Sequence, residues 1–420
     1  MNILVVNWTW YPSGGDWTYI ENICALYKEN GHQIVPFSMK NPVNIPNDYQ
    51  QYFIENIDYK ELNQKNKLST GVQVLTKSIY SFEAIEKLKE LLKVVKIDLA
   101  HLNIIHRYIT PSILLVLKKA GIPIVWTLHD YTVLCPESTF ISNGQICESC
   151  KGAKFYNAAF KKCKKKSFLA SSVASLDNYV HHYLDYYKYV DYFICPSKFH
   201  YDKFKEFGIF TDRLHQVYHS YPVEKAFSNL SVEGPKTERY IFFVGRLEKI
   251  KGVYTLLKAM LNCSDISLKI AGYGSQEVEL RQFAADNQLQ NVSFLGKQSK
   301  TEVLNLISQS EFLVCPSEWY EVLGFTIIEA MLMGKPVIGS RIGAIPETVI
   351  HEQTGLLFDA GNAGMLAQHI QSLYNSTDQI LRLGNNAREH VLKLTNPGNH
   401  YKELQRIIPK LRIKDQSQKL

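Results

Sequence analysis

The sequence predicts two doubly wound α/β domains in series, and three observations carry that prediction. The chain has 420 residues, more than one hydrophobic core usually supports. Continuous apolar runs alternate with amphipathic helical stretches from end to end, the pattern of parallel sheets covered on both faces. A polar stretch with Gly and Pro, SNLSVEGPKTER (228–239), interrupts this rhythm near the midpoint, and the rhythm then restarts.

In chain order, the first strands are read at ILVVN (3–7), QIVPFS (33–38), DLAHLNI (98–104), PIVWTL (123–128), DYFICPS (191–197) and LHQVY (214–218). Helical spacing falls over 17–30, 82–95 and 111–120. The second set is RYIFFVG (239–245), ISLKIAG (266–272), NVSFLG (291–296), SEFLVC (310–315) and KPVIGS (335–340). This gives a first domain over 1–225 and a second over 236–394. In such domains ligands bind beyond the carboxyl ends of the strands, and the largest cleft is expected between the two domains.

The composition, 45% hydrophobic and 21% charged, excludes a disordered or fibrous chain. A net charge of +7 suits anionic ligands or an anionic membrane surface and is too small to argue for nucleic acid. The opening MNILVVNWTW has neither the basic region nor the cleavage site of a signal peptide. No apolar stretch reaches the roughly 18 residues of a spanning helix. The expectation is a cytoplasmic protein, at most peripheral on the inner face of the cell membrane.

Four segments carry chemistry. In YPSGGDWTYI (11–20), Gly14 and Gly15 let the backbone approach a ligand where a helix begins, and a helix start favours phosphate; an ordinary turn is the plainer alternative. In TLHDY (127–131), His129 follows a strand, with a structural, backbone-bonded histidine as its alternative. In FFVGRLEKIKG (242–252), Gly245, Arg246 and Lys251 form an anion site sized for a pyrophosphate. A lysine in a helix's first turn opposes the dipole and needs a compensating anion; a solvated basic turn is the alternative. In EVLGFTIIEAMLMGKP (321–336), Glu321 falls at a loop tip, Gly324 and Phe325 at a helix start, and Glu329 inside an apolar helix where a carboxylate needs a partner. No D-x-D pair suggests a metal clamp for a nucleotide-sugar, so a departing diphosphate would be neutralised by Arg246, Lys251 and backbone N–H groups.

These residues resemble a family. GRLEKIKG, the E-x7-E spacing and EAMLMGKPVIGSRIGAIPETVIHEQTGLLF look like the retaining glycosyltransferases of family 4, over roughly residues 239–394. Gly14-Gly15, GHQIVPF (31–37) and the His-Asp after 123–128 support the resemblance in the first half. It implies the GT-B fold, two Rossmann-like domains facing each other across a cleft, and a last helix near 395–420 that crosses back to the first domain. It implies a retaining enzyme that moves a sugar from a nucleotide-diphosphate sugar to an acceptor hydroxyl, with no cofactor required for catalysis. The acceptor would be a saccharide or lipid-linked saccharide of surface polysaccharide biosynthesis. Arg246 and Lys251 would hold the diphosphate, and Glu321 would bond the sugar, with Gly324 and Phe325 touching sugar or phosphate. Glu329 would accept from the ribose, Gly14 and Gly15 would approach the phosphate, and His129 would sit against the transferred sugar. Two stretches depart from the pattern: Val322 stands where relatives often have Pro, and YHSYP (218–222) where many have an Asn-Gly turn. A GT-B protein that binds nucleotide-sugars without turnover, and a nucleotide-sugar epimerase, are the alternatives.

The segment 131–168 reads as an insertion. Its Cys135, Cys147, Cys150 and Cys163 are spaced C-x11-C-x2-C-x12-C, compatible with a structural four-thiolate zinc site; independent thiols and disulfides are the alternatives. Seven lysines lie between Lys151 and Lys166 with no acid among them. They read as a solvated face, or as a contact for anionic lipid or a polyprenyl-diphosphate acceptor with Phe155, Tyr156, Phe160 and Phe168 as anchors; a zinc ribbon binding nucleic acid is the third alternative, with nothing else in the chain that looks like a base-reading surface.

Overall fold

The computed structural model describes residues 1–56, 79–227 and 238–411. Most of the polar midpoint stretch, 228–237, and the end of the expected last helix, 412–420, lie outside them.

The first sheet contains β1 (Asn2–Val6), β2 (Gln33–Phe37), β3 (Leu99–Leu102) and β4 (Ile124–Thr127). A small antiparallel hairpin follows, β5 (Ile141–Ser142) with β6 (Gln145–Ile146), and then β7 (Tyr192–Cys195) and β8 (Leu214–Gln216) return to the first sheet. Its order is β2-β1-β3-β4-β7-β8 and every pairing is parallel. Ile3, Leu4, Val5 and Val6 are all buried completely. Covered on both faces, the strand reads as an unbroken apolar run and not as an alternation.

The second sheet contains β9 (Tyr240–Val244), β10 (Ser267–Ala271), β11 (Val292–Gly296), β12 (Leu313–Cys315), β13 (Val337–Ser340) and β14 (Gly355–Phe358). Its order is β11-β10-β9-β12-β13-β14, again all parallel. Chain direction across the sheet reverses between β9 and β12, which meet through one register pair, Phe242 with Leu313. Such a reversal opens a crevice at the carboxyl ends of the two strands. Leu256, Leu257 and Met260 from the helix Val253–Met260 pack on Ile241, Phe243 and Ile270 from the sheet and on Ile370 from the helix Ala363–Tyr374.

Contacts divide the chain into two compact units. One holds Met1–Pro196, His200–Ser220 and the chain from Pro397 on; the other holds Ser197–Phe199 and Tyr221–Asn396. The helix Pro397–Ile407 thus belongs to the first unit. There His400 Nδ1 donates to the Tyr218 carbonyl at 2.7 Å, and His32 Nε2 pairs with the Tyr401 hydroxyl at 2.6 Å. No helix among the described residues is long and apolar enough to cross a membrane.

Candidate functional site

At the carboxyl end of β9, Gly245 is followed by Arg246, which is exposed and has no ion-pair partner among the described residues. The chain then forms the 3₁₀ turn Lys249–Lys251 and starts its helix only at Val253. Lys251 therefore sits before the helix, not in its first turn. Gly252 makes the change of direction with φ +66, and a Cβ there would lie 1.8 Å from the Pro316 carbonyl oxygen. The lysine turn and the loop after β12 can approach this closely only because residue 252 has no side chain.

That approach joins Lys251 to Glu321. The Lys251 Nζ lies 2.5 Å from Glu321 Oε1, and the Ser317 hydroxyl donates to the same oxygen at 2.7 Å. The Trp319 ring sits 5.2 Å from the ammonium. Glu321 is 6% exposed, so it is held within the loop and not at an open tip. Burial pushes its pKa up, but the Lys251 charge, with hydrogen bonds from Lys251 and Ser317, outweighs this and holds it below the usual range. The backbone is fixed as well, with Ala344 N–H donating to the Glu321 carbonyl and Ser340 Oγ to the Ser317 carbonyl.

Gly324, with φ +87, precedes the helix Phe325–Leu332. That left-handed cap turns the loop into the helix, which a residue with a Cβ would do under strain. Glu329 lies in the second turn and is 1% exposed. Its Oε1 accepts from the Tyr221 hydroxyl at 3.1 Å and pairs with Lys300. Lys300 opens the helix Lys300–Gln309, whose cap Ser299 accepts from the Glu302 N–H. The buried carboxylate thus has both a donor and a counter-charge. Neither Tyr221 nor Lys300 was read from the sequence, because each is far from Glu329 along the chain and neither is an unusual residue where it stands. Tyr221 does lie within YHSYP, the stretch flagged as a departure.

In the first unit, His129 follows β4 and is half-buried. Its Nε2 is 2.9 Å from Asn103 Oδ1. An amide oxygen only accepts, so the proton is on Nε2 and Nδ1 keeps its lone pair. The histidine is thus held by a side chain, not by backbone. Burial, and then His200, pushes its pKa down to about 3, so the ring is neutral near pH 7. Gly14 and Gly15 are exposed at the start of the helix Gly15–Glu29. Sequence reading passed over the residue that follows: Asp16 takes the Trp8 indole N–H at 3.1 Å, and burial raises its pKa.

Cys135, Cys147, Cys150 and Cys163 are all free thiols. Among the described residues, no group of three or more His, Cys, Asp or Glu is placed to hold a metal ion. The four-thiolate zinc expectation is therefore unsupported in this arrangement, although Cys163 packs against the cluster that holds Cys150. Cys150 packs with Phe155 and Ala158, Cys163 donates to Ser142, and Cys147 faces Lys161 and Ser149. Burial pushes the Cys135 thiol up to about 11 and, with the neighbouring cysteines adding to it, Cys150 up to about 12, whereas Cys147 is held below the usual thiol value, burial being outweighed there by hydrogen bonds with Ser149 and Lys161.

Comparison with known proteins places these features in context. The profile described as "Glycosyltransferase Family 4" matches residues 13–225, and that of "Glycosyl transferases group 1" matches residues 228–390. A D-rhamnosyltransferase of Pseudomonas aeruginosa is 32% identical over 158 residues, 37% of this chain and 41% of that protein. The N-acetyl-alpha-D-glucosaminyl L-malate synthase of Bacillus anthracis is 29% identical over 160 residues, 37% of this chain and 41% of that one. These alignments span less than half the length of either relative. Sucrose-phosphate synthase from Thermosynechococcus elongatus superposes with TM-score 0.69 at 21% identity, covering 98% of this chain and 99% of that one. The two-unit α/β fold is therefore the GT-B fold seen in such enzymes.

Proposed function

Because the chain belongs to glycosyltransferase family 4, we propose that it transfers a sugar from a nucleotide-diphosphate sugar to an acceptor hydroxyl. The acceptor is a saccharide or lipid-linked saccharide of surface polysaccharide or oligosaccharide biosynthesis, met at the inner face of the cell membrane. The observation that carries this reading is the cluster of Lys251, Ser317 and Glu321 at the carboxyl ends of β9 and β12, where the strand order reverses.

Each residue has a role in the proposal. Arg246, exposed and unpaired among the described residues, and Lys251 neutralise the donor's diphosphate and stabilise it as it leaves. Glu321, kept ionised by Lys251, accepts hydrogen bonds from sugar hydroxyls, while Gly245, Gly324 and Phe325 let backbone approach the phosphates and sugar. Glu329 accepts from the ribose, oriented by Tyr221 and Lys300. Gly14 and Gly15 serve the phosphate, and the neutral His129 serves the transferred sugar as an acceptor through Nδ1. Retention of configuration is part of this reading, and membership of the family supports it. A same-face displacement fits it best, with the leaving phosphate oxygen taking the proton of the incoming hydroxyl.

The test is a donor screen on purified protein, read by nucleotide release with and without saccharide acceptors. Release stimulated by an acceptor supports transfer. Binding of several donors with no release or transfer from any of them would leave a binding protein, and an altered sugar recovered from donor alone would indicate an epimerase.

A further inference from the structure

The lysine-rich insertion does more than present charge. Its helices Tyr156–Phe160 and Phe168–Tyr183 are joined by residues 161–167, and that connection is pinned. The Lys164 N–H donates to Ser171 Oγ at 2.9 Å, and Ser175 Oγ donates to the Phe155 carbonyl at 2.8 Å. Ser167 caps the second helix by accepting from the Ala170 N–H. The tip is therefore held in one shape.

The structure also sorts the tip's residues. Phe155 is 2% exposed and packs on Tyr179, so it belongs to the interior of the insertion. Tyr156, Phe160, Phe168 and Leu169 are exposed, Phe160 by 74% and Leu169 by 72%. Among the lysines, Lys151 pairs with Glu206 and Lys164 with Glu137, and Lys161 donates to Ser149. Lys154, Lys162, Lys165 and Lys166 are exposed and have no ion-pair partner among the described residues. No acid occurs anywhere from 151 to 169. Large apolar side chains held in water beside unpaired cations of one sign match a surface with negative headgroups above an apolar layer.

We propose that the tip formed by Tyr156, Phe160, Lys162, Lys165, Lys166, Phe168 and Leu169 docks on an anionic lipid bilayer. Phe160, Phe168 and Leu169 enter the headgroup boundary, and the lysines meet the lipid phosphates. A nucleic acid would meet the same cations, but it offers no apolar layer for Leu169. The proposal deepens the lipid-linked branch of the functional reading by naming the surface that brings the enzyme to such an acceptor.

The test is co-sedimentation of the full-length protein with phosphatidylcholine vesicles, pure or with about 30% phosphatidylglycerol. Binding is expected to the anionic vesicles and to fall as salt is raised. The triple variant Lys162→Glu/Lys165→Glu/Lys166→Glu and the double variant Phe160→Ser/Leu169→Ser should each weaken binding at least about tenfold. Val278→Ser, at an 82% exposed position of the second unit, should bind as wild type. Equal binding by wild type and both tip variants, or no preference for anionic vesicles, overturns the proposal. So does a dimer in solution that Phe160→Ser/Leu169→Ser converts to monomer, which would make the patch a self-contact. Since the wild-type salt series needs no variant, a misfolded variant does not leave the question open. Nucleotide release with a water-soluble acceptor is read separately. Its loss with vesicle binding intact sinks the transferase reading alone, and the opposite result sinks the docking surface alone.

Discussion

Removing the Lys251 ammonium leaves a buried carboxylate without its counter-charge, a costlier change than never having had the pair. Lys251→Ala is expected to lower kcat by about 100-fold through the lost donor to the leaving phosphate. Its effect on stability has a defined sign. Glu321 titrates below its ordinary value of 4.5, so the stabilisation it brings is complete above that value and is lost as pH falls through the lowered one. Without Lys251 that stabilisation is gone, so the Tm gap between wild type and variant should be widest near neutral pH and shrink on acidification. A gap independent of pH would show that Glu321 does not depend on Lys251. For Glu329→Ala the expectation is a rise of about tenfold or more in KM for the donor, as for a lost bond to a charged group, with kcat little changed; an unchanged KM removes the ribose role. Lys251, Glu321 and Glu329 were legible because their charges conflict with their sequence surroundings. Tyr221, Lys300 and Asn103 were not, since a tyrosine, a helix-opening lysine and a strand-end asparagine are ordinary until folding brings them beside Glu329 or His129.

The strands were the most legible elements, because burial on both faces writes them as unbroken apolar runs. All eleven runs read as strands contain one, and β14 (Gly355–Phe358) and the hairpin β5–β6 were passed over. Both omissions are short, and β5–β6 is partly exposed, so neither presents a long apolar run. Glycine contacts were invisible for a different reason. A glycine's sequence position says nothing about which distant carbonyl its missing Cβ makes room for. Gly252→Ala should cost about 2–4 kcal/mol, from the left-handed backbone and the contact with Pro316. It should also impair turnover, because the loop carrying Ser317 and Glu321 must retreat from Lys251. A thermal melt and kcat on the same sample check both, and a variant with wild-type Tm would contradict the close approach.

At the scale of the molecule, the two units should respond differently to acid. His101 and His200 have pKa values pushed down to about 3 by burial, and His400 to about 4; all three are buried and lie in the first unit. Their folded values lie below the ordinary one near 6.5, so the unfolded chain binds more protons in between, and stability falls as pH drops through that window. Each contributes about 1 kcal/mol of loss per pH unit below about 6.5. Calorimetry from about pH 7 to 5 should show a transition belonging to the first unit moving down before the second unit's, and a single transition of unchanged Tm would refute this. The helix Pro397–Ile407 adds a consequence in time. The ribosome must make all of Tyr221–Asn396 before it releases the segment that supplies His400 to the Tyr218 carbonyl and Tyr401 to His32. At roughly 5–20 residues per second, the first unit waits unfinished on the nascent chain for on the order of ten seconds or more. The part made first is completed last, and a stop codon shortly before Pro397 would cripple the unit farthest from it in the message.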